Sequence, residues 1–362
     1  MKNSSNKKIN SRFTIEVNDE RPHKNEIYMM REWWYYNAIF NHKESDLKNW
    51  SISSSISISP RFGSTVIVLY DDKNNNYGSI TDFKTTEEIK VKGHGVNVNI
   101  DRSFIRGMYP KWNVHFENTS MDNIEIVADL EYKATKQPIW ILKNTGHNIS
   151  TSMLGYYFIM NCDVEGTITM DNTKYKIKGI GYHDHTWSPI YKKKVKTLDK
   201  TTTKKLKTIA FNRDFNWDWI YFHFDNRSNI FIGKIYFSKR NLISFLMPGT
   251  LNFVTNENKL TESYFFPIIY KNFQKTSIPN LKIPNEINIK SMKINPLNKY
   301  PIKGPFLLEL NYKTENIKEL VYGDSPQWGI WTSSGKVTGK LRGFRKEIEL
   351  KGFGIVEYTD NV

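Results

Sequence analysis

A single cysteine, Cys162, occurs in the 362 residues. An intrachain disulfide is thereby excluded, as is any cysteine-based zinc or iron–sulfur site. Long hydrophobic runs are missing as well. The longest apolar stretches, such as Val66-Ile-Val-Leu-Tyr70, fall far short of the ~20 residues of a helical membrane span. The N-terminus, Met1-Lys-Asn-Ser-Ser-Asn-Lys-Lys8, is basic but lacks an apolar core, so no signal peptide is expected. There is no Gly-x-Ser-x-Gly elbow. Nor is there a P-loop, because Gly329…Gly335-Lys336 has the wrong spacing and runs into Val337. No cofactor is expected. The 20 Gly and 13 Pro are scattered without period, which excludes a collagen-like chain.

What is abundant is aromatic and basic. Ten Trp, 20 Tyr and 21 Phe supply too much apolar surface for a disordered chain. The length suits about two domains at roughly 150 residues each. The expectation is a soluble, cytoplasmic, globular protein. Its net charge is +15, and much of it lies in Lys192, Lys193, Lys194, Lys196, Lys200, Lys204, Lys205 and Lys207, opposed only by Asp199. This stretch reads either as a solvated loop or as a peripheral docking patch for an anionic membrane. Nucleic acid is not expected, since no zinc-finger or RRM-type signature accompanies the charge.

Period-2 alternation recurs along the chain. Ile124, Ile126, Ala128, Leu130 and Tyr132 point one way, with Glu125, Asp129 and Glu131 opposite. Ile52, Ile56 and Ile58 alternate with serines, Val96, Val98 and Ile100 with Asn, and Phe231, Gly233, Ile235 and Phe237 behave likewise. Turn clusters such as Asp71–Asn76 separate the runs, and no apolar 3.6-residue period is sustained. The fold class is all-β.

An internal repeat refines this. Val164-Glu-Gly166 matches Val337-Thr-Gly339, and Lys178-Gly-Ile-Gly-Tyr-His-Asp184 matches Lys351-Gly-Phe-Gly-Ile-Val-Glu357. Earlier in each half, Glu32-Trp-Trp-Tyr-Tyr36 matches Asp218-Trp-Ile-Tyr-Phe222. Matches at two offsets, in the same order in both halves, indicate duplication with an insertion between motifs in one half. Each half suits one up-and-down, lipocalin-type β-barrel, whose first and last strands pair to close the sheet. The expected domains are a flexible tail over 1–20, a barrel over 21–190, a basic linker over 191–208 and a second barrel over 209–362.

On a strand, Glu32, Trp34 and Tyr36 share one face, and Trp33 and Tyr35 the other. These aromatics either fill a core or line a ligand cavity. A carboxylate buried among them needs a partner, Arg31 or another base, or else stays protonated. His183, His185 and Trp187 likewise share a face, with Asp184 opposite. The histidines could supply two zinc ligands, with a third from His94, His115, His147 or His223. They could instead take part in proton transfer with a carboxylate, or in a structural hydrogen-bond network.

These segments resemble the AttH-like, carotenoid 1,2-hydratase (hydroxyneurosporene synthase) family. That family opens with His-Glu-Trp-Trp-Tyr, closes its first half with Asp-His-x-Trp-Gly, and ends near Gly-x-Gly-hydrophobic-x-Glu. Here they stand as Arg31-Glu-Trp-Trp-Tyr35, Asp184-His-Thr-Trp-Ser188 and Gly352-Phe-Gly-Ile-Val-Glu357. Arg31 replaces the family His and Ser188 the Gly. The resemblance implies two lipocalin-like barrels, an apolar isoprenoid-like ligand, and hydration or cyclisation of its double bonds.

Such chemistry needs an acid strong enough to protonate an alkene, and an apolar pocket keeps a carboxylic acid protonated near neutral pH. It also needs aromatic faces for the cation, worth on the order of 2 kcal/mol each when desolvated. The expected catalytic set is Asp184 or Asp218 as acid, His185 orienting water, and Glu32. Trp34, Trp187 and Trp219 would face the cation, and Trp33, Tyr35, Tyr221 and Glu357 would line the substrate. His185 and Trp187 carry over from the family motif directly. A non-catalytic isoprenoid carrier and a zinc hydrolase using His183 and His185 are the rival readings.

Overall fold

The structure is a computed structural model. It describes residues 13–22, 28–58, 62–71, 76–80, 84–85, 90–91, 95–119, 123–142, 155–190, 216–236, 249–257, 260–263, 266–276, 282–293, 306–321, 328–343 and 347–361. The basic stretch from Lys192 to Lys207, His94, His147 and the side chain of Arg31 lie outside these residues. The chain divides into two compact units at residues 203/204.

The first unit holds β1 (Tyr28–Ile39), β2 (Ser51–Ile58), β3 (Phe62–Tyr70), β4 (Asn76–Ile80), β5 (Lys84–Thr85), β6 (Lys90–Val91), β7 (Val96–Ile100), β8 (Ser103–Met108), β9 (Lys111–Thr119), β10 (Glu125–Ala134), β11 (Ile139–Leu142), β12 (Gly155–Met170) and β13 (Thr173–Ile190). They form one antiparallel sheet, ordered β4-β3-β2-β1-β13-β12-β10-β9-β8-β7-β6, with β11 on β12 and β5 on β3. Neighbours in the sheet are mostly neighbours in sequence, as hairpins require. The β12–β13 turn is built from Asp171 and Asn172, both at positive φ (45° and 63°). That is the twist a two-residue hairpin needs, and Asn and Asp tolerate it best among residues with a side chain.

The second unit holds β14 (Asn216–Phe224), β15 (Asn229–Tyr236), β16 (Gly249–Val254), β17 (Leu260–Ser263), β18 (Ile268–Lys275), β19 (Lys282–Lys293), β20 (Phe306–Val321), β21 (Trp328–Arg342) and β22 (Glu347–Asn361). Its sheet runs β17-β16-β15-β14-β22-β21-β20-β19-β18. In both units the opening strand therefore pairs with the closing strand, β1 with β13 and β14 with β22.

Each sheet buries one face in an apolar core. In the first unit Trp34, Tyr36, Ala38, Ile126, Ala128, Leu130 and Tyr132 share it. In the second Ile220, Phe222, Phe224, Ile230 and Ile232 do. Three expectations need correcting. Residues 13–20 are not a free tail. They include a short helix, Val17–Glu20, and Glu20 is buried, with its carboxylate among hydrogen-bond donors. Phe231 is buried but belongs to the opposite face from the core set. It packs edge-on to Trp219 (6.0 Å), while Ile230 and Ile232 face the core. Finally, the repeat is shifted. With Glu32 equivalent to Asp218, Ala38 faces Gly181 and the matching Phe224 faces Gly352. Gly352 thus takes the place of Gly181, not of Gly179, and Val356 falls where His185 stands.

Candidate functional site

The β1–β13 ladder carries chemistry on both faces. Its register sets Glu32 opposite Trp187, Trp34 opposite His185, Tyr35 opposite Asp184, and Tyr36 opposite His183. Alternation then sorts these residues. Glu32, Trp34, Tyr36, His183, His185 and Trp187 face the core. Trp33, Tyr35, Asn37, Tyr182 and Asp184 face away from it.

On the core face, Glu32 Oε1 lies 2.7 Å from His185 Nε2, and both side chains are fully buried. His185 is thus the base that Glu32 requires. The imidazole stacks on Trp34 (4.6 Å between centroids, 17°) and packs obliquely on Trp187 (4.8 Å). His183 stacks on Tyr36 (4.2 Å). Its Nδ1 is 3.1 Å from the Tyr35 carbonyl oxygen and its Nε2 is 3.4 Å from the Tyr157 hydroxyl. Burial holds the His183 imidazole down at about 3, outweighing its hydrogen bond to Tyr35, so it is neutral.

Glu20 completes this cluster. Its carboxylate accepts from the Tyr109 backbone N–H (2.7 Å), Trp112 Nε1 (3.0 Å) and the Tyr157 hydroxyl (3.3 Å). Burial nonetheless pushes its pKa up to about 7, against the lowering effect of those donors. Tyr157 therefore stands between an acid that titrates near neutrality and a neutral imidazole. Nothing in the sequence marks Glu20, one of three acids in the run Glu16-Val-Asn-Asp-Glu20 well ahead of the first repeated motif.

On the opposite face, Asp184 is 1% exposed. Its Oδ2 accepts from the Tyr182 hydroxyl at 2.9 Å and the Tyr156 hydroxyl at 3.3 Å. Tyr182 stacks on Phe158 (6.1 Å) and meets Tyr35 edge-on (6.3 Å), and the Tyr35 hydroxyl donates to Ser53 Oγ (3.1 Å). Asn37 lies in the same row, between Tyr182 on β13 and Ser53 on β2. It is fully buried, and neither its Nδ2 nor its Oδ1 has a hydrogen-bond partner among the described residues. Such an amide is costly to bury, by about 1–3 kcal/mol for each unmet group. The alternation that places Trp33 and Tyr35 together also places Asn37, so the sequence held this signal.

Two expected groupings therefore fail. Asp184 and His185 do not act on one reacting atom, because consecutive strand residues point to opposite faces. Trp34 and Trp187 accompany His185 rather than Asp184. Tyr35 and the half-buried Trp33 are on Asp184's side.

In the second unit, Asp218 is buried on the core face and accepts from the Tyr270 hydroxyl. Trp219 packs on Tyr221 (6.3 Å) on the other face, and Glu357, opposite Trp219, accepts from Trp217 Nε1 (2.8 Å). His115 pairs with Asp129 (2.5 Å) and His223 with Asn229 (2.8 Å). Among the described residues no three His, Cys, Asp or Glu side chains gather as a metal site. Cys162 is free and buried. A depression of about 300 Å3 lies on β18–β20, lined by Asn272, Glu286, Lys313 and Glu315. None of the expected site residues lines it.

No family model matches the sequence, and no curated protein matches it closely. Solved structures match over almost the full length. A protein assigned as AttH from Nitrosomonas europaea shares 13% identity at a TM-score of 0.66, covering 96% of this chain and 98% of that one. Kievitone hydratase from Nectria haematococca shares 15% identity at a TM-score of 0.61, covering 97% and 94%. CghA in complex with Sch210972 shares 9% identity at a TM-score of 0.53, covering 97% of each chain. At these identities the likeness establishes a shared fold, and the resemblance read from the motifs leads to that same fold.

Proposed function

We propose that the protein is a lyase or cyclase that binds a small, apolar, isoprenoid-like molecule and promotes hydration or ring closure at one of its double bonds. In this reading each sheet curls into a lipocalin-like barrel. The observation that carries it is Asp184, a carboxyl group buried among aromatic rings with two tyrosine hydroxyls on one oxygen. A fold shared with a hydratase and with a protein that binds a small molecule supports the reading but does not fix the reaction.

Each step has a residue to perform it. Asp184, in its protonated form, delivers a proton to the alkene carbon. The hydroxyls of Tyr182 and Tyr156 then stabilise the carboxylate left behind. The faces of Tyr35, Tyr182 and Phe158 offset the positive charge on the substrate. The unmet amide of Asn37 holds the attacking water or a substrate oxygen, one ladder position from the acid. Water addition returns the proton to Asp184, so the cycle consumes only substrate and water. Across the strand pair, Glu32 and His185 tie β1 to β13 and fix where Tyr35 and Asp184 meet.

The test is turnover of prenylated phenols and linear isoprenoids in 18O-labelled water, followed by mass spectrometry. Hydration places the isotope in the product, and cyclisation gives an isomer of unchanged mass. Asp184→Asn should reduce either product by at least about a hundredfold, the usual size of a general-acid contribution. Full activity in that variant would overturn the assignment. Return of every ligand unchanged by the wild-type protein would favour a carrier.

A further inference from the structure

The interior of the second unit contains a buried cation that no described residue accepts a hydrogen bond from. Lys234 on β15 is 2% exposed, and its Nζ has no hydrogen-bond partner among the described residues. It faces the core, in line with Ile230 and Ile232. Directly across the ladder stands Asp218 on β14, whose Oδ2 is taken by the Tyr270 hydroxyl from β18. The ammonium lies 5.5 Å from the centre of the Phe266 ring. Ile220 and Ile268, buried core residues two positions along from Asp218 and Tyr270, extend the apolar lining.

A buried ammonium with three unmet donors is expensive, and proteins normally pair or neutralise it. Asp218 balances the charge at a distance but forms no hydrogen bond with Lys234. What the site lacks is an acceptor that brings no charge of its own. A carboxylate would leave an excess negative charge in an apolar core, whereas a carbonyl oxygen would not. The described neighbours named here, Phe266, Ile220 and Ile268, present hydrocarbon and aromatic surface.

We propose that the second unit binds an apolar aldehyde or ketone, with Lys234 donating to its carbonyl oxygen and Asp218 supplying the counter-charge. Burial lowers the Lys234 amine to about 8, an effect larger than the opposing one of Asp218, so a usable fraction is uncharged near neutrality. An aldehyde held there condenses with that amine. The nitrogen lone pair attacks the carbonyl carbon, Lys234 loses its two amine protons, and the carbonyl oxygen leaves as water to give an imine. Cyanoborohydride then delivers hydride to the imine carbon and the solvent a proton to nitrogen, which makes the link permanent. Lys234 has no part in the reaction proposed for the first unit.

The experiment treats the full-length protein with decanal and sodium cyanoborohydride near pH 7.5, with peptide mapping of the modified lysines. One saturating modification at Lys234 is expected, at least tenfold faster than at any surface lysine. Undecan-2-one, a ketone that condenses poorly, should slow it by competition. Lys234→Met and Lys234→Arg should both remove the fast modification. Both variants should keep a cooperative thermal transition, which separates loss of the nucleophile from loss of the fold. The arginine keeps the cation and tests nucleophilicity separately. Modification spread evenly over surface lysines, or unchanged in Lys234→Met, would overturn the proposal.

Discussion

Glu20 shows how one residue can couple folding to pH. Its folded pKa of about 7 lies above its ordinary 4.5, so the folded protein holds a proton that the unfolded chain releases. Its contribution is present in acid and is lost as pH rises from about 4.5 to about 7. His183 has the opposite sign. Its folded value of about 3 lies below the ordinary 6.5, so its contribution is lost as pH falls through that interval. The two slopes nearly cancel between about 4.5 and 6.5. Glu20→Gln removes one of them, and the variant should gain about 3 kcal/mol over the wild type between pH 4.5 and pH 7.5. Urea unfolding at the two pH values checks this, and a difference that does not change with pH would refute it.

At the level of elements, β12 and β13 are held together by a missing side chain. Gly155 faces Trp187 across the ladder, and a Cβ at Gly155 would come far closer to the indole ring than van der Waals contact allows. Gly155→Ala must therefore displace Trp187, which packs on His185. We expect a loss of about 1–3 kcal/mol, as for other overpacked sites, read as a lower urea midpoint with an unchanged slope. An unaltered midpoint would mean that the Trp187 position is soft.

The strands themselves were legible in the sequence, because alternation is a direct signature of a one-sided sheet. Val96, Val98 and Ile100 are buried in alternation as expected. So was the pairing of the opening with the closing strand, which the barrel reading required and which β1–β13 and β14–β22 display. The Phe231 face was misread because β15 is buried on both sides, so hydrophobicity could not distinguish the core row from its neighbour. Ser53 and Ser57, read as the polar side of β2, are buried too. Their hydroxyls pair with Tyr35 and Ser64, contacts that no local pattern records. Glu20 and Tyr157 meet across more than a hundred residues of chain, and spacing carries no trace of such a contact.

At the scale of the whole molecule, the first unit depends on a short segment ahead of β1 whose partners lie far along the chain. Glu20 satisfies donors on β9, β12 and the β8–β9 connection, and the Thr14 carbonyl accepts from Trp140 Nε1 at 2.8 Å. Deleting residues 1–22 leaves Trp112 and Trp140 with buried indole N–H groups unmet. A cost of at least about 2 kcal/mol follows from the usual 1–3 kcal/mol per unmet group. Thermal unfolding should show the first unit melting earlier than in the intact chain, and coincident curves would refute the role of this segment. No helix among the described residues is long and apolar enough to cross a membrane.

The β1–β13 ladder is also a party wall between two rooms. A library that varies only Trp33, Tyr35, Asn37, Tyr182 and Asp184 would redecorate one room and leave the Glu32–His185 fastening in the other untouched. Inserting a single residue into either strand would exchange the contents of the rooms. New specificities on this scaffold are therefore reached by substitution at alternate positions, and length changes in these two strands should be selected against.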